Sequence, residues 1–217
     1  MDKILEGLAH FQDAVYPKHR DLFEQLALGQ RPEALFITCA DSRIDPCMLT
    51  QTNPGKLFIC RVVGNIIPPY PSLVGGVAAT IEYAAGVLGV PDIIICGHTD
   101  CGVMKGVVHP EPLQQLSSLI QWLNYAQPAH REVTSRSPQP KGDAFMQALG
   151  ERNVVEQLAN LRTHPAVKAR LEQRDITLHG WFYHIGDGLV TAYDAAHDRF
   201  TPLRGSKSRE REQVAAL

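Results

Sequence analysis

The amino-acid sequence predicts an α/β domain with a mainly parallel central sheet covered by helices, an N-terminal helical arm and a C-terminal β-hairpin at the sheet edge. Short apolar runs alternate with stretches of helical periodicity, which is typical of a parallel or mixed sheet. An amphipathic stretch precedes the first run, and a Gly-Asp-Gly turn separates the last two. The 217 residues, 44% of them hydrophobic, suit one core, so we expect a single domain over 1–217.

Apolar residues at helical spacing predict two short helices within residues 1–30, the N-terminal arm. The first stripe consists of Ile4, Leu5, Leu8, Phe11 and Val15, and the second of Leu22, Phe23 and Leu26. Pro17 separates the two stripes. No strand precedes this arm, so we expect it to pack on the domain or on another subunit.

Three short apolar, β-branched runs predict buried parallel strands at 34–39, 57–63 and 92–96. The polar residues after the first run predict a turn at 40–43. The Ala- and Gly-rich stretch 75–89 has helical spacing and predicts a helix packed closely against the sheet. The order of strand, connection, strand, helix and strand implies covered sheet faces.

In the second half, helical spacing predicts helices at 112–126, 151–162 and 165–173. The stretch from 127 to 143 is rich in Pro, Ser and Arg, which predicts a loop. The runs 176–185 and 189–193 flank Gly186-Asp187-Gly188 and predict the hairpin. The tail from residue 205 to 217 is predicted to be mobile.

Composition excludes several classes of protein. A formal net charge of -2, with dispersed basic residues, argues against nucleic acid as a partner. The longest apolar runs are too short to cross a membrane, and the acidic start does not resemble a signal peptide, so we expect a cytosolic protein without a membrane partner. Five cysteines without a secretory signal favour metal binding or catalysis over a disulfide framework.

Three candidate metal ligands follow predicted strands. Cys39 closes the first strand, and His98 and Cys101 lie just beyond the third. Sites in open α/β sheets gather at the carboxyl ends of strands, and two thiolates with an imidazole select zinc. Each residue alone would more often be a packing residue; together they favour a metal site. We assign Cys47, Cys60 and Cys96 to packing.

Asp41 and Arg43 decide between an open and a closed metal site. A structural zinc site has four protein ligands, whereas a catalytic site keeps one position for water. In an extended segment Arg43 would reach the Asp41 carboxylate, leaving zinc open; a released Asp41 could become the fourth ligand. In the open state, a zinc-bound hydroxide oriented by Asp41 is the expected nucleophile. A surface ion pair that caps the next helix is the alternative for these two residues.

Four segments resemble the β-class carbonic anhydrases, in particular their plant-like and cyanobacterial branch. They are Cys39-Ala40-Asp41-Ser42-Arg43, Arg61-Val62-Val63-Gly64-Asn65 with Pro68-Pro69, Gly75-Gly76-Val77, and Gly97-His98-Thr99-Asp100-Cys101-Gly102. The resemblance extends over almost the whole chain. It implies reversible hydration of carbon dioxide to bicarbonate, one zinc ion per chain, and a dimer or larger self-assembly.

The resemblance also implies roles for single residues. Cys39, His98 and Cys101 match zinc ligands, and Asp41 and Arg43 match the catalytic pair. The substrate-binding residues it implies are Gln30, Tyr70, Tyr83 and the backbone amide of Gly102. Tyr83 would come from the neighbouring subunit, and Tyr70 stands where plant relatives have phenylalanine. Phe36 stands where a bicarbonate-inhibited branch has tryptophan, which argues against that inhibitory site here.

Two alternative functions use the same residues. Asp41 as a fourth ligand would make a structural or regulatory zinc module that binds a partner protein. An open site could instead hydrolyse carbon disulfide or carbonyl sulfide, which are also small linear molecules. A nucleotide-binding role for Gly75-Gly76 lacks the required glycine spacing.

Overall fold

The computed structural model describes residues 1–72 and 75–203. Within these residues, six strands form one sheet in the order β2-β1-β3-β4-β5-β6. The strands are β1 (Ala34–Thr38), β2 (Leu57–Arg61), β3 (Asp92–His98), β4 (Thr177–His184), β5 (Leu189–Asp194) and β6 (Arg199–Pro202). β1 to β4 pair in parallel, while β5 and β6 are antiparallel. The predicted α/β class with a mainly parallel sheet is confirmed.

Helices cover the sheet and form the arm. They are α1 (Asp2–His10), α2 (Arg20–Ala27), α3 (Pro46–Thr50), α4 (Gly76–Glu82), α5 (Gly102–Val108), α6 (Ser117–Leu123), α7 (Gln127–Thr134), α8 (Gly142–Leu161) and α9 (Pro165–Gln173). The predicted helix at 75–89 corresponds to α4 and the wider helical turn Tyr83–Leu88 that follows it. No helix in the described ranges is long and apolar enough to span a bilayer.

The central strands β1 and β3 are buried because both of their faces are covered. Every residue of β1 is buried, and so are six of the seven in β3. Their sequences are therefore nearly continuous apolar runs instead of alternating ones. The register pairs Thr38 with Cys96, so the residues that follow β1 lie beside the last residues of β3.

The predicted hairpin is present as β4 and β5, but its place in the sheet differs from the prediction. β4 pairs in parallel with β3, and the edge is formed by β6, which the sequence did not predict. β6 has only four residues, and Phe200 is its one large apolar residue. Such a short strand gives almost no periodic signal, and pairing with β5 forms it.

The predicted loop at 127–143 is wrong at both ends. Residues 127–134 form α7, and α8 already begins at Gly142. Pro128 lies in the first turn of α7, where proline is compatible with a helix. Ala129 and Val133 are fully buried, so packing on the domain stabilises a segment whose composition looks loop-like. The helix predicted at 112–126 is shorter, because only α6 and short flanking turns form there.

The N-terminal arm consists of α1 and α2, joined by tighter and wider helical turns around Pro17. Neither helix contains a buried residue. The apolar side chains of α1 are largely exposed: Ile4 is 70% exposed, Leu5 56% and Leu8 53%. The predicted mobile tail, 205–217, lies outside the described residues.

Candidate metal centre

Three buried side chains converge at the carboxyl ends of β1 and β3. Cys39 is the first residue after β1, His98 ends β3, and Cys101 precedes the first residue of α5. Their potential ligand atoms lie within 4.8 Å of one another. All three residues are buried, with at most 4% exposure. The structure therefore brings together the three ligands predicted from the sequence.

The orientation of His98 leaves one ring nitrogen free to bind a cation. Nδ1 lies 2.8 Å from the carbonyl oxygen of Thr99, and because a carbonyl only accepts, Nδ1 carries the hydrogen. Nε2 is then an acceptor, and it is buried with no hydrogen-bond partner in the described part of the chain. A buried polar atom without a partner is costly. A cation on Nε2 would remove that cost.

The two thiols compete for one proton. The hydrogen bond between the two sulfurs lowers the pKa of Cys39 and raises the pKa of Cys101 far above its ordinary value, and burial raises the pKa of Cys101 further. The backbone N–H of Gly64 donates to the Cys39 sulfur at 3.3 Å and also favours the thiolate. A cation between the sulfurs would stabilise both thiolates. Two thiolates and an imidazole are a donor set that fits zinc.

Asp41 and Arg43 form a bidentate pair beside the cluster. Arg43 donates from Nε to Oδ1 of Asp41 at 3.0 Å and from Nη2 to Oδ2 at 2.8 Å. The Arg43 backbone N–H adds a bond of 3.0 Å to Oδ1. Arg43 thereby holds the pKa of Asp41 far below its usual range. Asp41 Oδ2 lies 3.9 Å from Nε2 of His98, so the ionised carboxylate faces the cluster.

Asp41 and Arg43 lie in the turn predicted after β1, and not in the extended segment through which Arg43 was expected to reach Asp41. The N–H of Ile44 donates to the carbonyl of Asp41 at 3.1 Å, so residues 41–44 form a turn. Within this turn the Asp41 carboxylate also accepts from the Arg43 backbone. The turn therefore brings Asp41 and Arg43 together, whereas an alternation of side chains along a strand is not involved.

Asp100 is a residue of this site that the sequence analysis missed. Arg43 donates from Nη1 to Oδ2 of Asp100 at 2.9 Å and from Nη2 to its backbone oxygen at 3.1 Å. Asp100 has a left-handed φ of 58°, which turns both acceptors toward the guanidinium. Lys105 pairs with the other carboxylate oxygen of Asp100. Arg43 is thus held from two sides, by partners that only the fold brings within reach.

For the carbon dioxide hydration that the sequence resemblance implies, we expect Asp100→Asn to lower kcat by about two- to fivefold, with KM nearly unchanged. The carboxylate and Arg43 are both partly exposed, so solvent screens their charge interaction and the expected effect is small. The amide keeps an acceptor for Arg43 but loses the charge. Steady-state kinetics would measure the effect. Asp143→Asn, which changes another carboxylate on the cavity that Asp100 lines, serves as the control; a similar loss there, or none at Asp100, would contradict the prediction.

The four predicted substrate-binding residues come from four different segments of the chain. Gln30 lies exposed in the connection between α2 and β1, and Gly102 is the exposed first residue of α5. The Tyr83 ring lies 5.9 Å from the ring of Phe58 and is 44% exposed. Tyr70 is half exposed, and its backbone N–H donates to Thr163. A pocket shared by Gln30 and Tyr83 of two subunits stays a prediction.

The three cysteines assigned to packing lie outside the cluster. Cys60 and Cys96 are buried in apolar surroundings, and burial raises the pKa of both thiols, that of Cys96 to about 12. Cys47 lies in α3. Phe36, at the position discussed for the inhibitory site, is fully buried with its ring edge-on to Trp181 at 5.9 Å.

Comparison with known proteins identifies the family of this chain. A sequence model of the carbonic anhydrase family matches residues 34–190. The carbonic anhydrase of Pseudomonas aeruginosa is 47% identical over 203 residues, which cover 94% of this chain and 92% of that protein. The carbonic anhydrase of Synechocystis is 43% identical over 204 residues, 93% of this chain and 74% of the relative.

Solved structures show the same fold. The β-carbonic anhydrase CcaA superposes with a TM-score of 0.91 and 41% identity, covering 95% of this chain and 93% of CcaA. One of the structures described as tetrameric β-carbonic anhydrases from Sordaria macrospora has a TM-score of 0.77 and 26% identity, covering 88% and 95%.

The fold and the matches define the class of protein as a lyase of the carbonate dehydratase type. Its buried Cys-His-Cys cluster is the kind of site that such an enzyme needs for a metal ion. The chain belongs to the β-class carbonic anhydrase family.

Proposed function

We propose that this chain catalyses the reversible hydration of carbon dioxide to bicarbonate and a proton, with one zinc ion per chain held by Cys39, His98 and Cys101. The observation that carries the proposal is the buried Nε2 of His98, which has no hydrogen-bond partner among the described residues and faces two thiols within 4.8 Å. The carbonic anhydrases at 47% and 43% identity support the choice of substrate.

When bound, zinc acidifies a water molecule and so supplies a hydroxide nucleophile. In the carbonic anhydrase that is the usual reference for this effect, the pKa of the zinc-bound water is about 7. That enzyme holds zinc with three histidines. Two thiolates place more negative charge on the ion than imidazoles do, so we expect a higher pKa here.

Asp41 orients the nucleophile. Its carboxylate is ionised and lies 3.9 Å from Nε2 of His98. From there it would accept the hydrogen of the nucleophile and direct an oxygen lone pair toward the substrate. Arg43 engages both carboxylate oxygens, which favours a position outside the metal coordination sphere. The pair would therefore leave one position of a bound zinc ion available to water.

The substrate pocket requires a second chain. We assign substrate contacts to Gln30, Tyr70, the Gly102 amide and Tyr83 of a neighbouring subunit, so the active unit is a dimer or a larger assembly. The exposed apolar face of α1 supports this assignment, because a contiguous apolar face on a soluble protein usually marks an interface. The tetrameric Sordaria relatives assemble beyond a dimer.

Stopped-flow carbon dioxide hydration from roughly pH 6.5 to 9, on protein of known zinc content, tests the proposal. We expect fast turnover at one zinc per chain, with kcat rising as pH rises. Asp41 stays ionised throughout this range because Arg43 depresses its pKa, so its titration does not cause the rise.

Two other outcomes would contradict the proposal. Full zinc loading without turnover at any pH would indicate a closed site in which Asp41 is the fourth ligand of a structural module. Zinc-dependent release of sulfide from carbon disulfide or carbonyl sulfide, without carbon dioxide hydration, would assign the site to sulfur-containing substrates.

A further inference from the structure

A buried backbone segment runs past the metal centre without belonging to the sheet. Residues 64–68 are all buried, and Ile66 and Ile67 have no exposed surface. The backbone polar groups of such a segment need partners other than water. Three amide side chains of α8 supply them: Asn153 Nδ2 donates to the Gly64 oxygen at 3.1 Å, Gln157 Oε1 accepts from the Ile67 N–H at 2.8 Å, and Asn160 Nδ2 donates to the Ile67 oxygen at 3.0 Å.

These contacts form a chain of hydrogen bonds with one direction. The Ile67 N–H can only donate, which identifies Oε1 as the Gln157 atom that faces it. Gln157 Nε2 then donates to Oδ1 of Asn153 at 2.9 Å, and Asn153 Nδ2 donates to the Gly64 carbonyl. Asn153 and Gln157 are at most 1% exposed, so water cannot replace either bond. Bonds aligned in this way strengthen one another.

The chain ends next to a metal ligand. Gly64, whose carbonyl accepts from Asn153, donates its own N–H to the Cys39 sulfur at 3.3 Å. Gly64 has a left-handed φ of 69°, and an added Cβ would lie 2.6 Å from Cγ1 of Val103. A residue with a side chain therefore does not fit at position 64. The position of the Gly64 backbone relative to Cys39 depends on what holds its carbonyl.

We propose that Asn153 and Gln157 are positioning residues for the metal site. They lie on α8, which contributes no metal ligand, and they hold the Gly64 amide against the Cys39 thiolate. The inference rests on the proposed zinc site. Hydrogen bonds to a metal ligand orient it and stabilise its charged form, so a displaced Gly64 amide weakens the hold of Cys39 on the metal. α8 thereby affects the metal affinity of the site through the backbone of residues 64–67.

Zinc affinity and the spectrum of the cobalt-substituted protein test this role. We expect Asn153→Ala to weaken zinc binding about 10-fold in chelator competition, at the low end of the range for groups that contact ligands directly. The thiolate-to-cobalt charge-transfer band should also shift. Asn160→Ala, which keeps the Asn153 to Gly64 bond, should have a smaller effect on both. If Asn153→Ala does not fold, Asn153→Ser can still accept from Gln157 but is too short to reach Gly64.

Leu158→Ala is the control for general loss of stability, because Leu158 lies on α8 and packs against β4 at Gly180. It should lower the unfolding temperature without changing zinc affinity or the cobalt band. Wild-type affinity and spectrum in both Asn153 variants would overturn the inference, and so would an equal loss of affinity in Leu158→Ala. If the wild-type chain itself binds no zinc, the proposed function fails instead.

Discussion

Replacing His98 by alanine is expected to abolish zinc binding and to reduce carbon dioxide hydration to the uncatalysed background. In the proposed zinc site His98 would supply one of three ligands, and its Nδ1 bond to Thr99 holds Nε2 toward the two thiols. Without His98, only the two thiolates of Cys39 and Cys101 would remain to bind zinc. Zinc content after dialysis and stopped-flow rates would measure the two effects.

His179→Ala is the matched control for the loss of a histidine. His179 lies near the start of β4, where it pairs with Asp92 at 2.7 Å, and not in the cluster. We expect full zinc content and nearly unchanged turnover in this variant. Retention of zinc and activity in His98→Ala would exclude the cluster as the catalytic metal site.

Asp41→Asn is expected to keep one zinc per chain and to lower kcat by at least about 100-fold, the lower end of what a positioned proton acceptor contributes. The amide has nearly the same shape, but its nitrogen donates where a carboxylate oxygen accepted. It can therefore neither hold the nucleophile's hydrogen in the same way nor keep both bonds to Arg43. Zinc analysis and stopped-flow kinetics would measure the change.

The pH profile adds a second readout for Asp41. Residual activity of Asp41→Asn should still rise with pH, because the carboxylate does not titrate in the measured range. Asp45→Asn is the control, since Asp45 caps α3 through a bond to the Met48 N–H at 2.9 Å and asparagine caps equally well. Loss of zinc in Asp41→Asn would instead mean that Asp41 is itself a ligand.

The metal cluster could be predicted because local patterns place it. Each of the strands β1 and β3 is an apolar run that ends at a potential ligand, and parallel neighbours bring their carboxyl ends together. The Asp41 and Arg43 pair was also within reach, since only Ser42 lies between them. The predicted turn at 40–43 is where this contact forms, whereas the extended geometry expected for the contact was wrong.

α7 and β6 could not be predicted, because tertiary packing and pairing override their weak local signals. α7 has a loop-like composition and is a helix because Ala129 and Val133 are buried. β6 is a four-residue strand that exists through its pairing with β5. Neither segment carries a periodicity that separates it from a loop.

By itself the sequence determined the α/β class, the mainly parallel sheet, the three clustered ligands and the resemblance that indicates carbon dioxide as substrate. The first three depend on periodicity and on residue types at strand ends, which are local properties of the chain, whereas the substrate comes from the resemblance alone. Only the tertiary structure placed Asp100 against Arg43 and joined Asn153 to Gly64, across 57 and 89 residues. Hydrogen bonds over such separations depend on the positions of whole elements in space, and a linear pattern does not encode those positions.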